Sequence, residues 1–303
     1  MNKTNENQQF NWKPDALTVL SPAKLNLSLL IAGKRPDGFH EIETVMAKID
    51  FFDEITISKS AKPGIHFTCV GPQWAPKGPE NLVYQAAEQV FKHSAISSGV
   101  NITLNKRIPA GTGLGSASSN AAATLLGLSR FFHLPLEIET VTEIATQLGS
   151  DVAFFLYGPQ SICRGKGEKI KTLATFFEFT ALVILPNLTI STKRIYESYR
   201  HNPDIYQHLH HKINGYLDKN RVDFMAKSCT NMLSSTCFSL HRGLAELKET
   251  IESLGIGPLC LSGSGSALYA IVDKKMYSKI GKVRSHLRRE FKCDSQLVHS
   301  IKW

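Results

Sequence analysis

The chain lacks any apolar run long enough to cross a bilayer. Its longest strongly apolar stretch, Ala181 to Leu185, falls far short of the roughly 20 residues that a spanning helix needs. The N-terminal segment MNKTNENQQFNWKPD has no apolar centre like that of a secretory signal, and Glu6 and Asp15 set it apart from acid-poor transit peptides. A cytoplasmic protein is expected. Cysteine is sparse, and Cys69, Cys163, Cys229, Cys237, Cys260 and Cys293 form no CxxC pair and have no HExxH beside them. Neither a zinc site nor a redox pair is predicted, and the six are expected to be reduced, mostly structural thiols. Acid is the minority charge: 26 Asp and Glu stand against 35 Lys and Arg, a net charge of +9. That balance favours anionic partners, and charge alone leaves nucleic acid, acidic lipid and small phosphorylated metabolites open.

What remains is ordinary for a globular chain of 303 residues, with 42% hydrophobic and 20% charged residues. Residues 1–15, rich in Asn, Gln and Lys, are expected to be a disordered leader. Leu25, Leu27 and Leu29 alternate in a strand that ends near Gly33, and Pro36-Asp37-Gly38 predicts a tight turn. EITISK and GIHFTC are two further strand candidates. Helical spacing over 81–93, alternation in VNITLNKRIP, a buried helix over 121–132 and an amphipathic helix from Ile138 to Leu148 follow. The composition turns polar and basic over 165–171, and a domain boundary is placed near 170, giving an N-terminal domain over 16–170 and a C-terminal domain over 171–303. The second half reads as a strand, a polar connection over 201–219, helical segments over 223–237 and 240–254, and glycine-flanked strands around GPLCLSGSGSALYAIV. The class is α+β.

The strongest chemical signal is PAGTGLGSASSNAAATLLGL, residues 109–128, which lies between a strand and an Ala-rich helix. Gly111, Gly113 and Gly115 permit backbone angles that turn successive N–H groups toward an anion, and a helix starting near Ser118 would aim its positive end at the same place. The segment has neither the lysine of GxxxxGK[ST] nor the spacing of GxGxxG. In SPAKLNLSL, Lys24 and Asn26 share one face of an otherwise apolar strand. Either they serve a site or they mark a surface-facing strand edge. Asp151, in LGSDVAFF, sits where a helix stop meets an apolar run, a place equally suited to an N-cap.

PAKLN, KRPDGFHEIETVM, PAGTGLGSASSNAA, LGSDVAFF and LSGSGSALYA, in this order, resemble the GHMP family of small-molecule kinases over nearly the whole chain from about residue 17. PAKLN and RPDGFH are similar to the branch whose acceptor is a cytidylyl diphosphate sugar alcohol. The resemblance implies a two-domain α+β GHMP kinase fold with the active site in the cleft between the domains. It also implies ATP as phosphoryl donor, Mg2+, and transfer of the γ-phosphate to the 2-hydroxyl of the acceptor during isoprenoid precursor synthesis. Asp151 matches the catalytic aspartate and Lys24 the lysine that keeps it ionised. Gly111, Thr112, Gly113, Leu114, Gly115, Ser116, Ala117, Ser118 and Ser119 fall where the family wraps ATP phosphates. Asn81 and Lys106 match positions near the adenine. On the acceptor side stand Asn26, Phe39, His40 and Tyr196, the rings stacking on cytosine and His40 reading its edge; an ordinary core tyrosine is the alternative at Tyr196.

The implied partners are small molecules, with neither nucleic acid nor membrane among them. Three alternatives stay open: a GHMP kinase with a homoserine, mevalonate or sugar acceptor, a catalytically silent nucleotide-binding member, and a nucleic-acid-binding module built on a related fold, which the basic balance favours and the acidic residue in the presumed cleft disfavours. KRPDGFH separates the first, and retention of Lys24 with Asp151 the second. Two stretches depart from the family pattern. Thr112, Ser116 and Ala117 replace glycines of the phosphate loop, and CTNMLSST carries Met232 and Ser234 where acids are usual. The histidines His208, His210 and His211 lack carboxylates at ligand spacing, and the basic stretch Lys274 to Lys292 lacks the interleaved aromatics of a nucleic-acid platform.

Overall fold

A computed structural model describes residues 8–94 and 96–303. The first strands are β1 (Phe10–Lys13), β2 (Ala16–Lys34), β3 (His40–Ser60) and β4 (Ile65–Val70). Helix α1 (Leu82–Ser94), β5 (Gly99–Asn105), α2 (Ser116–Phe131), α3 (Ile138–Leu148), a 3-10 turn (Ala153–Leu156), β6 (Gln160–Gly165) and β7 (Lys169–Thr172) follow. Seven strands make one sheet in the order β1-β2-β3-β5-β4, with β6 on β3 and β7 on β6. From Thr180 onward come β8 (Thr180–Leu185), α4 (Thr192–Ser198), α5 (Pro203–Asp218), α6 (Val222–Lys227), α7 (Ser234–Leu240) and α8 (Arg242–Ser253). The chain ends with β9 (Cys260–Leu261), β10 (Leu268–Val272), α9 (Tyr277–Phe291) and β11 (Asp294–His299), whose strands form a second sheet, β11-β8-β10-β9.

The hairpin of β2 and β3 joins the two halves. From Ser21 to Ile31 every residue of β2 is buried, so both faces of the strand are covered. Polar residues at alternate positions therefore lie inside: Lys24, Asn26 and Ser28 are no more than 5% exposed, which excludes a surface-facing strand edge. One face packs under α1, α2 and α3. Helix α2 lies so close there that a Cβ on Gly127 would meet Ile57 Cδ1 at 2.6 Å and Val19 Cγ2 at 2.9 Å, so a larger residue would have to push these side chains aside. The other end of the hairpin shares a core with the second sheet, where fully buried Tyr269 donates its hydroxyl to Asn26 O at 2.8 Å. At the hairpin tip Arg35 N bonds Phe39 O at 2.8 Å and Gly38 takes φ 86°, the tight turn expected from Pro-Asp-Gly.

Several expectations are corrected. Of the expected leader, residues 1–7 lie outside the described residues, while Phe10–Lys13 pairs antiparallel with β2 and the Arg130 guanidinium sits 4.0 Å above the Phe10 ring. The polar connection expected over 201–219 is α5. Asn202 caps it by accepting from Ile205 N, Pro203 opens it, and only Ile213 is fully buried, so a weak apolar stripe hid the helix. Cys229 and Cys260 form a disulfide, so four thiols stay free. Folding sets the Cα atoms 4.6 Å apart although 31 residues separate them, a proximity that spacing does not encode. Helix α2 starts at Ser116, and the segment expected over 223–237 splits into α6 and α7. Among the described residues no helix is long and apolar enough to cross a membrane, and no three His, Cys, Asp or Glu side chains cluster to hold a metal ion.

Candidate active site

A cavity of about 890 Å³ opens between the β2–β3 hairpin tip, the 109–118 loop, Asp151 and α4. Its central polar pair is Lys24 and Asp151, with Nζ 3.5 Å from Oδ2. Lys24 is held by a relay: its ammonium donates to Asn26 Oδ1, Asn26 Nδ2 donates to Thr44 Oγ1 at 2.8 Å, and Thr44 donates to Ser28 O at 2.6 Å. A buried lysine loses hydration on folding, and the carboxylate opposite it offsets part of that cost. Asp151 keeps about 30% of its side chain exposed, facing the cavity, so it remains accessible to a ligand.

The glycine loop is braced from three sides. Gly111, Gly113 and Gly115 have φ of 69°, 79° and 69°, the left-handed region that glycine favours. Lys24 N bonds Leu114 O at 2.9 Å, Ser262 Oγ donates to Gly113 O at 3.0 Å, and Ala267 N bonds Thr112 O at 2.9 Å. Contact with the LSGSGS segment is so close that a Cβ on Gly113 would lie 2.0 Å from Ser262 O. Gly115 begins α2 without a side-chain cap, leaving the first helical N–H groups for a ligand. Thr112, Ser116 and Ala117 avoid positive φ, so their side chains impose no left-handed strain.

Most expected site residues converge here, and three do not. Lys24, Asn26, Phe39, His40, Tyr196, Asp151 and the loop from Gly111 to Ser118 all line the cavity. Ser119 turns toward the sheet, its Oγ 2.8 Å from the Ser21 hydroxyl. Asn81 caps α1 by accepting from Val83 N at 2.9 Å and does not face the cavity. Lys106 is buried beneath the loop, paired with Asp53 Oδ2 at 2.7 Å and donating to Ile108 O and to Ser116 Oγ at 3.1 Å. Burial lowers its pKa and Asp53 opposes the shift. Asp53 Oδ1 also accepts from Arg107 N and Ile108 N, so the pair fixes the entry to the loop.

At the far end the His40 and Tyr196 rings lie 5.2 Å apart with a tilt of 39°, and Tyr199 meets His40 edge-on at 6.0 Å. Burial, Lys34 and His201, in that order, lower the His40 pKa, which favours the neutral imidazole. Burial, with Asp151 adding to it, raises the Tyr196 pKa and keeps the phenol protonated. Phe39 is 57% exposed, with Lys166 Nζ 4.9 Å above its ring. Sequence reasoning missed Tyr199 and Arg200, which also line the cavity. α4 ends at Ser198 and Tyr199 is already extended, so the chain turns both residues into the cavity beyond the helix and helical spacing carried no signal for them. Lys34, Lys166 and Lys193 add positive charge. Thr192 Oγ1 lies 2.8 Å from Ser264 Oγ and ties α4 to the LSGSGS segment. Asn231 holds that segment from behind, donating to Leu261 O and Gly263 O at 2.9 and 2.8 Å. Met232 in the same stretch accepts from Ile31 N through its sulfur at 3.2 Å.

Comparison with known proteins agrees with this arrangement. The family model described as GHMP kinases N terminal domain matches residues 81–159, and GHMP kinases C terminal matches residues 217–292. A 4-diphosphocytidyl-2-C-methyl-D-erythritol kinase of Bacillus subtilis (strain 168) is 33% identical over 275 residues, 88% of this chain and 91% of that protein. One from Citrifermentans bemidjiense is 34% identical over 86% of this chain and 90% of its own length. A crystal structure of 4-(cytidine 5'-diphospho)-2C-methyl-D-erythritol kinase superposes with a TM-score of 0.73 at 30% identity, covering 93% of this chain and 98% of that one. Homoserine kinase from Cytophaga hutchinsonii, at 21% identity and a TM-score of 0.75, shares the fold. With both domain models matched and relatives above 30% identity along most of its length, the chain belongs to the GHMP kinases, in the family of the 4-diphosphocytidyl-2-C-methyl-D-erythritol kinases.

Proposed function

We propose that this protein transfers the γ-phosphate of ATP to the 2-hydroxyl of 4-diphosphocytidyl-2-C-methyl-D-erythritol, a step toward isoprenoid precursors in the cytoplasm. The observation that carries the reading is the Lys24 and Asp151 pair, 3.5 Å apart, in one cavity with the glycine loop at one end and His40 with Tyr196 at the other. Phosphoryl transfer depends mainly on positioning and charge neutralisation. Asp151 accepts the proton of the attacking hydroxyl, and Lys24 faces the carboxylate and steers the hydroxyl. Backbone N–H groups of 111–118 and the start of α2 bind the phosphates, and the neutral His40 edge with the Tyr196 face selects cytosine. The boundary near 170 stands as a division of labour between a nucleotide-binding domain and a C-terminal domain. It is supported by the break between the two sheets after Thr172.

Magnesium bound to a triphosphate keeps several waters and needs only one or two protein carboxylates. The Ser118 hydroxyl, which faces the cavity, fits part of that modest demand, and it would hold the ion together with the phosphates and water. When bound, the ion would neutralise charge on the phosphates.

The test is ADP release on adding the cytidylyl acceptor, homoserine or mevalonate to enzyme and MgATP. Turnover confined to the cytidylyl acceptor is expected, and preference for another acceptor would replace the substrate while keeping the kinase.

A further inference from the structure

We propose that Lys48 is a positioning residue for phosphoryl transfer, fastening the segment 151–157 to β3 so that Asp151 and Phe155 keep their places beside Lys24 and Gly115. The proposal rests on the reading of Asp151 as the proton acceptor. Lys48 carries an amine into the protein core, 3% exposed, and the mechanism above does not use it. Its Nζ donates to Phe155 O at 3.2 Å and Tyr157 O at 2.7 Å, and no carboxylate pairs with it among the described residues.

These two carbonyls lie at the C-terminal end of the 3-10 turn Ala153–Leu156, where helical carbonyls lack partners within their own turn. The same lysine anchors its backbone to this region, since Lys48 N bonds Pro159 O at 2.9 Å. Side chain and main chain together thus grip the run from Phe155 to Pro159.

What the grip holds is catalytic geometry. Lys48 and Lys24 are direct partners across β3 and β2, so both side chains leave the same face of the sheet. Lys24 reaches Asp151 at the start of the segment, and Lys48 reaches the carbonyls four and six residues later. Phe155 then forms part of the floor of the glycine loop: a Cβ on Gly115 would lie 3.1 Å from Phe155 Cζ and 3.0 Å from Lys24 Cγ. A shift of the 3-10 turn would move Asp151 relative to Lys24 and open the packing under Gly115. A methionine of similar length fills the volume and donates no hydrogen bond, so it isolates the grip from the packing.

The experiment measures kcat and both KM values for wild type, Lys48→Met and Lys48→Gln, with Asp151→Asn alongside. Loss of fixed geometry of this kind typically costs tenfold to about a hundredfold in rate. Lys48→Met is expected to lower kcat by at least about tenfold while KM for ATP and for the acceptor change less than about twofold, and Lys48→Gln, whose shorter side chain keeps an NH2 donor group, should recover part of the loss. If Lys48→Met does not fold, Lys48→Gln against wild type carries the same split. Full kcat in a folded Lys48→Met protein, or KM rising as much as kcat falls, overturns the positioning role. An active Asp151→Asn protein instead overturns the reading of Asp151, and the Lys48 proposal with it.

Discussion

Lys24 Nζ stands 3.5 Å from Asp151 Oδ2, and the two residues come from distant parts of the chain, strand β2 and the turn that follows α3. The proposed function makes Asp151 the proton acceptor. Asp151→Asn should retain the fold and ATP binding and lose about 10² to 10⁴ in kcat. Calorimetric ATP titration beside steady-state turnover checks it, and more than half of wild-type turnover would sink the assignment.

The glycine loop leaves no room at its centre. Gly113→Ala places a Cβ 2.0 Å from Ser262 O at φ 79°, so the loop must move away from the LSGSGS segment. The left-handed backbone alone costs roughly 1 to 2 kcal/mol for a residue with a Cβ. ATP affinity should fall at least about tenfold in a protein whose circular dichroism is unchanged. Unaltered affinity would mean that the phosphates sit elsewhere.

Acceptor choice should follow the His40 and Tyr196 rings. Tyr196→Ala is expected to raise the acceptor KM by the equivalent of about 1 to 3 kcal/mol of lost stacking. His40→Ala should narrow the preference for the cytidylyl over the uridylyl acceptor, because a hydrogen-bonding site rejects analogues that leave its polar groups unpaired. The lowered pKa of His40 keeps it neutral to more acidic pH than the ordinary value of about 6.5, so this preference should persist below pH 6.5. Parallel kcat/KM measurements on the two acceptors decide, and equal use of both by wild type would defeat the cytosine reading.

Lys48 also links stability to pH. Burial lowers its pKa from 10.5 to about 7. Between those values the unfolded chain binds a proton that the native state does not, so unfolding becomes less favourable as pH rises. Wild type should gain stability over Lys48→Met from pH 7 toward pH 10, by no more than a few kcal/mol. Urea midpoints of the two proteins at pH 6.5, 8 and 9.5 give the difference, and a difference independent of pH would contradict the buried, depressed lysine.

Thiol titration in denaturant without reductant should count four reactive cysteines, because Cys229 and Cys260 are bonded to each other. Six would mean that the pair is reduced in the purified protein.

The backbone conformation of the loop was legible because it is local. Gly111, Gly113 and Gly115 lie within five residues between a strand and a helix, and positive φ at each is what such spacing demands. Lys24 with Asn26, Asp151, His40 and Tyr196 could be named from short motifs, and all line one cavity. Other features depended on contacts between segments distant in sequence. Asn81 and Lys106 carry the right groups for a ligand, yet a helix cap and the Asp53 carboxylate claim them first. Lys48 reads as an ordinary strand lysine until the 3-10 turn delivers two unpartnered carbonyls to it. Cys229 meets Cys260 only when α6 packs beside β9, and α5 shows too little apolar face to stand out from a polar linker. Backbone preference and side-chain chemistry act over a few residues and are written in the sequence. Burial and pairing depend on which distant segment arrives, and that is settled only when the β2–β3 hairpin is covered on both faces.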